Sequence, residues 1–298
     1  MKTFALTIFL ICTFPYTASA GKPTIADDDS AIPFTLGKGH VIVSAKINGN
    51  KPVEMVLATG AEHSLINVTV LEKYKLQASY TGEGIITGSN LDRVVYFVTV
   101  SDIRVGDLKV TSLYMRFGAQ AASEISQRIG REIFAILGAD FFKGRIVQFD
   151  FRKKVVRFMA HAPTTRPQTG GPSELATLAM RPSSEPVRLP VTEDILFNGK
   201  KIKTLFDTSA LTVVSLTPSA AKQVGLTPPP DKGLPRTDKV SLRLGDIEFT
   251  DLPVTLHAKG SVFDHDSNGY GGVVGIALLQ NFVITFDFRG GTLILERI

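Results

Sequence analysis

Two stretches of the chain repeat each other in order and spacing, and this constrains the fold more than any other feature. Residues 136–158 read ILGADFFKGRIVQFDFRKKVVRF, and residues 273–295 read VVGIALLQNFVITFDFRGGTLIL. Both hold two aliphatics, a glycine, a hydrophobic stretch and a Phe-Asp-Phe-Arg run leading into an alternating strand, at a constant offset of 137 residues. Upstream, VEMVLATGA at 53–61 matches IKTLFDTSA at 202–210 at an offset of 149. Between them, Arg104-Val105-Gly106-Asp107 matches Arg243-Leu244-Gly245-Asp246 at an offset of 139. Three matches in one order read as an internal duplication, so the chain is expected to build two similar lobes.

The change in offset locates an insertion. The second half lacks about a hairpin's length of chain after its early loop. In the first half that extra chain runs from Tyr80 to Asn90 and on through Val94–Val98, where glycines between β-branched runs read as a long hairpin. The join at 161–186 is rich in Pro, Ser, Thr and Gly and has no sustained period, as expected of a linker. The expected organisation is an N-terminal segment at 21–32, a first lobe at 33–160, the linker at 161–186 and a second lobe at 187–298.

Residues 1–20 have Lys2 at the start, an apolar run from Phe4 to Phe14 and the small-residue site Ala18-Ser19-Ala20. That pattern is a secretory signal peptide, and the run is too short to span a bilayer. The expected location is therefore secreted or periplasmic, with no membrane attachment after cleavage. The single cysteine, Cys12, lies inside this segment, which excludes a disulfide framework, a zinc cluster and a CxxC centre from the rest. Hydrophobic residues at 44% and charged residues at 20% exclude global disorder. The net charge of +5 is dispersed, without a basic stripe interleaved with aromatics, so nucleic acid is not an expected partner.

Within each half, strand signals dominate. Val53, Met55 and Leu57 alternate with other residues, as do Ile202, Thr204 and Phe206. Asn48-Gly49 and Asn198-Gly199 mark tight hairpin turns. Thr217-Pro218 reads as an N-cap and first helical residue, with Gly225 as the stop, and Asn67 as a second N-cap before Val68–Lys75. The fold class is mostly β, with short helices.

An apolar strand running into Asp207-Thr208-Ser209-Ala210 delivers a carboxylate into a loop where backbone donors can fix it. Two such loops meeting across a pseudo-twofold axis would bring two carboxylates together. Such a pair shares a proton, one member acting as base towards water and the other as acid towards a carbonyl.

These loops, with the later turns Ile136-Leu137-Gly138 and Val273-Val274-Gly275, resemble those of the retropepsin-like and pepsin-like aspartic peptidases. The resemblance covers about residues 33–298. It implies a bilobal fold of two homologous closed β lobes, an inter-lobe cleft, a flap hairpin over it, and hydrolysis of extended peptides by a water held between two Asp. Carried over by position, Asp207 is one catalytic Asp. Thr59 and Thr208, with Gly60 and Ser209, support the two loops. Gly82, Gly84, Ile85, Ile86 and Gly88 form the flap over the substrate. No cofactor and no metal are implied. The partner is a peptide or protein substrate or ligand, and the chain is expected to act as a monomer.

The first loop departs from the pattern. It reads Leu57-Ala58-Thr59-Gly60, with alanine where the family has its other Asp. A methyl group holds no proton and binds no water, and removing one general acid or base typically costs about 10²–10⁴ in rate. The expectation is an exported aspartic-peptidase homologue with hydrolysis impaired or lost and a peptide-binding cleft retained. Two alternatives stand beside it. One is an active endopeptidase in which Asp207 works with an unidentified second acid, or in which Ala58 is not the native residue. The other is a structural envelope protein.

Other groups draw a bland reading. Glu62 and His63 lie too far along the chain to replace a carboxylate whose placement must hold within a fraction of an ångström, and are expected at the cleft wall or in solvent. Asp140 has Ala277 opposite it and reads as structural, and Asp150 and Asp287 read as turn caps or as facing solvent, with no chemistry assigned. His257 with Asp264-His265-Asp266 matches no metal-ligand spacing and reads as a solvated loop. The glycines at 269–272 and 290–291 read as turns.

Overall fold

The computed structural model of the protein describes residues 31–67, 78–86, 93–117, 120–162, 175–180, 189–260 and 269–297. Strand makes up 53% and helix 11%. The first half runs β1 (Ala31–Gly37), β2 (His40–Ile47), β3 (Val53–Leu57), β4 (Leu65–Ile66), β5 (Ala78–Ile86), β6 (Arg93–Val105) and β7 (Leu108–Phe117). Helix α1 (Gln120–Ile129), β8 (Ile133–Leu137), α2 (Ala139–Phe142), β9 (Ile146–Asp150) and β10 (Val155–Met159) follow. Next come β11 (Leu175–Ala179), β12 (Val191–Thr192), β13 (Ile195–Phe197), β14 (Lys200–Lys201), β15 (Thr204–Asp207), β16 (Val214–Leu216) and α3 (Pro218–Gln223). The chain ends on β17 (Arg236–Leu244), β18 (Ile247–Leu256), β19 (Gly272–Gly275), α4 (Ile276–Leu279), β20 (Phe282–Asp287) and β21 (Thr292–Arg297).

The same five-strand order recurs in both halves. In the first it is β3-β8-β4-β7-β6, and in the second β15-β19-β16-β18-β17. In each, the first and third pairs, β3–β8 and β4–β7 or β15–β19 and β16–β18, are parallel and the second and fourth are antiparallel. The halves differ in how the sheet closes. Strand β2 is uninterrupted, pairs with β3 on one side and β6 on the other, and closes a six-stranded barrel. In the second half the equivalent run is broken at Glu193–Asp194, where Asp194 N–H donates to Thr192 Oγ1 at 3.1 Å. The two pieces pair separately, β12 with β15 and β13 with β17, and the sheet curls into a half-barrel. This is a mostly β, bilobal fold of the aspartic-protease type.

A third layer joins the halves: β1-β10-β9-β20-β21-β11, antiparallel throughout. Its centre is the β9–β20 pair, in which Gln148 faces Thr285 and Gln148 Nε2 donates to Thr285 Oγ1 at 3.1 Å. These two residues are 137 apart, the offset of the repeat, so each is opposite its own counterpart. A local twofold axis therefore passes between them. Phe149 and Phe286, again counterparts, meet edge to face at 5.9 Å beside it. One continuous apolar cluster runs from the first barrel through this layer into the second half.

Local signals are realised as their chemistry demands. Asn48-Gly49 and Asn198-Gly199 have φ of 50° and 69°, and 47° and 77°, the left-handed pairs that match the twist of a two-residue hairpin. Thr217 Oγ1 accepts from Ala220 N–H at 3.4 Å at the start of α3, and Gly225 has φ 82° just after its end. Asn67 is described, but Val68–Lys75 lie outside the described residues. The alternation in β3 is blurred because Val56 is buried as well as Met55 and Leu57: a strand paired in parallel at a barrel wall is covered on both faces. The β5–β6 hairpin stands where the sequence places extra chain, and residues 225–235, its counterpart region, contain no strand. The linker-like composition of 161–186 conceals β11, which pairs along its whole length with β21. Its alternating Ala176 and Leu178 are buried, a period too short to stand out between prolines.

Candidate active site

Strands β3 and β15 end side by side and release the two loops that begin at positions 58 and 207. The loops are locked by four hydrogen bonds that repeat across the axis. Thr59 N–H donates to Thr208 Oγ1 and Thr208 N–H to Thr59 Oγ1, both at 3.1 Å. Thr59 Oγ1 donates to Phe206 O and Thr208 Oγ1 to Leu57 O, both at 2.9 Å. Both threonines are fully buried, so each hydroxyl satisfies a donor and an acceptor that water cannot reach. The lock sets Ala58 and Asp207, the residues just before the two threonines, on either side of the axis.

Gly138 and Gly275 seat these loops. A Cβ on Gly138 would lie 2.6 Å from Ala61 O, and one on Gly275 2.6 Å from Ala210 O. Their φ values, −97° and −102°, are ordinary, so glycine is present for space rather than for a left-handed turn. The next residues complete the match: Ala139 N–H donates to Ala61 O at 2.7 Å and Ile276 N–H to Ala210 O at 2.8 Å.

The two positions themselves are unlike. Asp207 Oδ1 accepts from Ser209 N–H and Ser209 Oγ, both at 2.7 Å, and from Gly60 N–H at 3.2 Å. None of these donors reaches Oδ2. Gly60 permits the approach, since a Cβ there would come within 2.7 Å of Asp207 Oδ2. Ala58 is 1% exposed and belongs to an apolar cluster with Ile42, Val56, Ile136 and Ala122, against which Ile125 and Ile129 of α1 also pack. The corresponding face of the second half, with Leu205, Val273 and Tyr270, instead borders a cavity of about 450 Å³. Asp207 lines that cavity together with Ser209, Thr212, His257 and, from α1, Arg128. A lone carboxylate there can accept a hydrogen bond or hold a cation, but among the described residues that line the cavity there is no second carboxyl with which to share a proton.

The neighbouring acids are engaged elsewhere. Glu62 Oε1 lies 3.4 Å from His63 Nε2, and that hydrogen bond holds the Glu62 carboxyl below its usual range against the opposing effect of burial. Asp140 accepts from Ser64 N–H at 2.8 Å, Ser64 Oγ at 2.6 Å and Phe141 N–H at 2.7 Å, while Ser64 Oγ itself accepts from Gly138 N–H at 2.9 Å. Burial still pushes the Asp140 carboxyl up. Asp140 thus ties one loop to its glycine turn. Asp150 accepts from Lys153 N–H, and Asp287 from Arg289 and Gly290 N–H, as hairpin caps in the central layer.

Gly82, Gly84, Ile85 and Ile86 lie on β5, opposite Phe97, Val95, Val94 and Arg93 of β6; Gly88 lies outside the described residues. His63 meets Phe97 edge-on at 6.4 Å, and Phe97 stacks on Tyr114 at 4.6 Å, which couples the first loop to the base of this hairpin. His257 is not on a solvated loop: it follows directly on β18, is 6% exposed and lines the cavity, while Asp264, His265 and Asp266 lie outside the described residues. Among the described residues no cluster of three metal-ligating side chains occurs.

Two residues near the site carry no sequence signal. Arg128 sits on the last turn of α1 among ordinary surface positions. His40 opens β2, is 3% exposed, and neither ring nitrogen has a hydrogen-bond partner. Burial first, then the charge of Arg128, hold its pKa below the usual histidine value, with Asp207 pulling the other way. Ser64 was discoverable, since it sits five residues after Thr59 on the loop that Gly138 must meet.

Residues 43–141 match a family model described as aspartyl protease. No curated protein matches the chain. The matched stretch runs from β2 to α2 and includes both the Ala58-Thr59-Gly60 loop and the Gly138 turn, and it supports an aspartic-protease-like family for the chain.

Proposed function

We propose that the chain is an exported, duplicated two-lobed protein of the aspartic-protease type that retains a peptide-binding cleft but has lost the acid pair needed for normal turnover. The observation that carries this reading is the reciprocal Thr59–Thr208 lock, which sets Ala58 opposite Asp207. Signal-peptide removal after residue 20 delivers it to the periplasm or the medium, where it acts as a monomer on peptides or unfolded segments. The family model supports the peptidase-like part of this reading.

The test compares cleavage of a pool of extended peptides at acidic pH by the natural chain, Ala58→Asp, and Ala58→Asp combined with Asp207→Asn. The expected result is turnover only in the single variant, together with binding of a hydroxymethylene-containing peptide by the natural chain. Turnover by the natural chain comparable to that of Ala58→Asp would overturn the proposal.

A further inference from the structure

We propose that the cavity beside Asp207 holds a small zwitterion, such as a di- or tripeptide with both ends unblocked, its ammonium against Asp207 and its carboxylate against Arg128. This rests on reading the cleft as a peptide site and narrows what the site takes.

The first reason is shape. An extended peptide needs both walls of a cleft. Here the first-half wall around Ala58 is filled by α1, and open space of about 450 Å³ lies on the second-half side. That volume suits a small molecule. The apolar faces of Leu205, Tyr270 and Val273 offer a seat for one or two side chains.

The second reason is charge. Apart from histidine, the charged groups lining the cavity among the described residues are Asp207 and Arg128, one of each sign. With alanine at position 58 one carboxyl of an acid pair is missing, so an anionic group can enter without meeting two carboxyls. Arg128 forms no ion pair with any described residue, and Asp207 Oδ2 receives none of the three donors that hold Oδ1. His40 lies within electrostatic reach of both, and its lowered pKa keeps it from adding a further cation at neutral pH. Thr212 also lines the cavity, and its Oγ1 is buried without a hydrogen-bond partner among the described residues. An exposed cation at the edge of the cavity and an anion that lines it complement a ligand with the opposite arrangement of charges.

The test is calorimetric titration at neutral pH of the full chain with Leu-Leu, N-acetyl-Leu-Leu, Leu-Leu-amide and an octapeptide blocked at both ends. The expected result is binding of Leu-Leu, with each single block weakening it about tenfold or more, the scale of a lost charge-assisted hydrogen bond. Arg128→Gln should remove the penalty for the amide and leave that for the acetyl form. Asp207→Asn, which keeps the Oδ1 acceptor and hence the loop, should do the reverse. Equal binding of all three dipeptides, or penalties that neither variant alters, overturns the inference. Binding of the octapeptide alone overturns it while leaving the cleft a peptide site, and binding of no probe overturns both readings.

Discussion

Thr59 and Thr208 exchange equivalent hydrogen bonds, each backbone N–H reaching the other's Oγ1 at 3.1 Å from positions 149 residues apart. This exchange holds the two loops in register independently of the residues before them, so one Asp can be absent without the loop moving. Thr208→Val keeps the shape but leaves Leu57 O and Thr59 N–H buried and unpaired. Urea unfolding should show a loss of about 2–4 kcal/mol, with a similar loss for Thr59→Val.

Ala58→Asp places a carboxyl in an apolar cluster at a position 1% exposed. Desolvation should raise the pKa of the new acid above its unfolded value, so the folded state binds its proton more tightly than the unfolded one. The destabilisation is then smaller below pH 4 and grows as pH rises towards neutrality, reaching about 1–3 kcal/mol. Denaturation midpoints of variant and natural chain, compared at pH 3.5 and pH 7, measure it; a pH-independent difference would contradict the apolar setting.

Gly275→Ala forces a methyl group against the backbone oxygens of Ala210 and Thr212, which cannot rotate away. A loss of about 3 kcal/mol or more is expected by thermal unfolding. Gly225→Ala, with nothing within 4 Å but φ at 82°, should cost less, about 1 kcal/mol.

His40 and Asp140 give opposite pH trends. The lowered pKa of His40 means that the unfolded chain binds the proton more readily, so its contribution to stability is lost as pH falls below the unfolded histidine value. His40→Leu should remove that acid-side loss. The raised pKa of Asp140 means that its contribution is fully present below the unfolded carboxylate value and fades as pH rises through the folded one. Asp140→Asn should flatten that decline. Paired unfolding curves from pH 4 to pH 8 separate the two.

The repeat made the bilobal plan, both loops and both glycine turns legible, because each rests on local chemistry: a close approach that excludes Cβ, a hydroxyl at a fixed place, an Asn-Gly turn. The pairing of Gln148 with Thr285 was equally implicit, since equal offsets place counterparts opposite each other across an axis. Strand β11 was hidden, because two buried positions between prolines do not make a readable period. Arg128 and His40 were hidden for another reason. Their place at the cavity depends on how α1 crosses the first-half wall and how β2 begins, which are tertiary facts without a sequence spacing.

The central layer has a consequence for any attempt to divide the molecule. Because β9 meets β20 at its own counterpart, its open edge is complementary to itself. A fragment ending before β11 would present that edge, with Gln148 at its midpoint, to an identical fragment, and two such pieces could zip together antiparallel about a twofold axis as the natural halves do. The intact chain covers this stickiness by carrying its own mate.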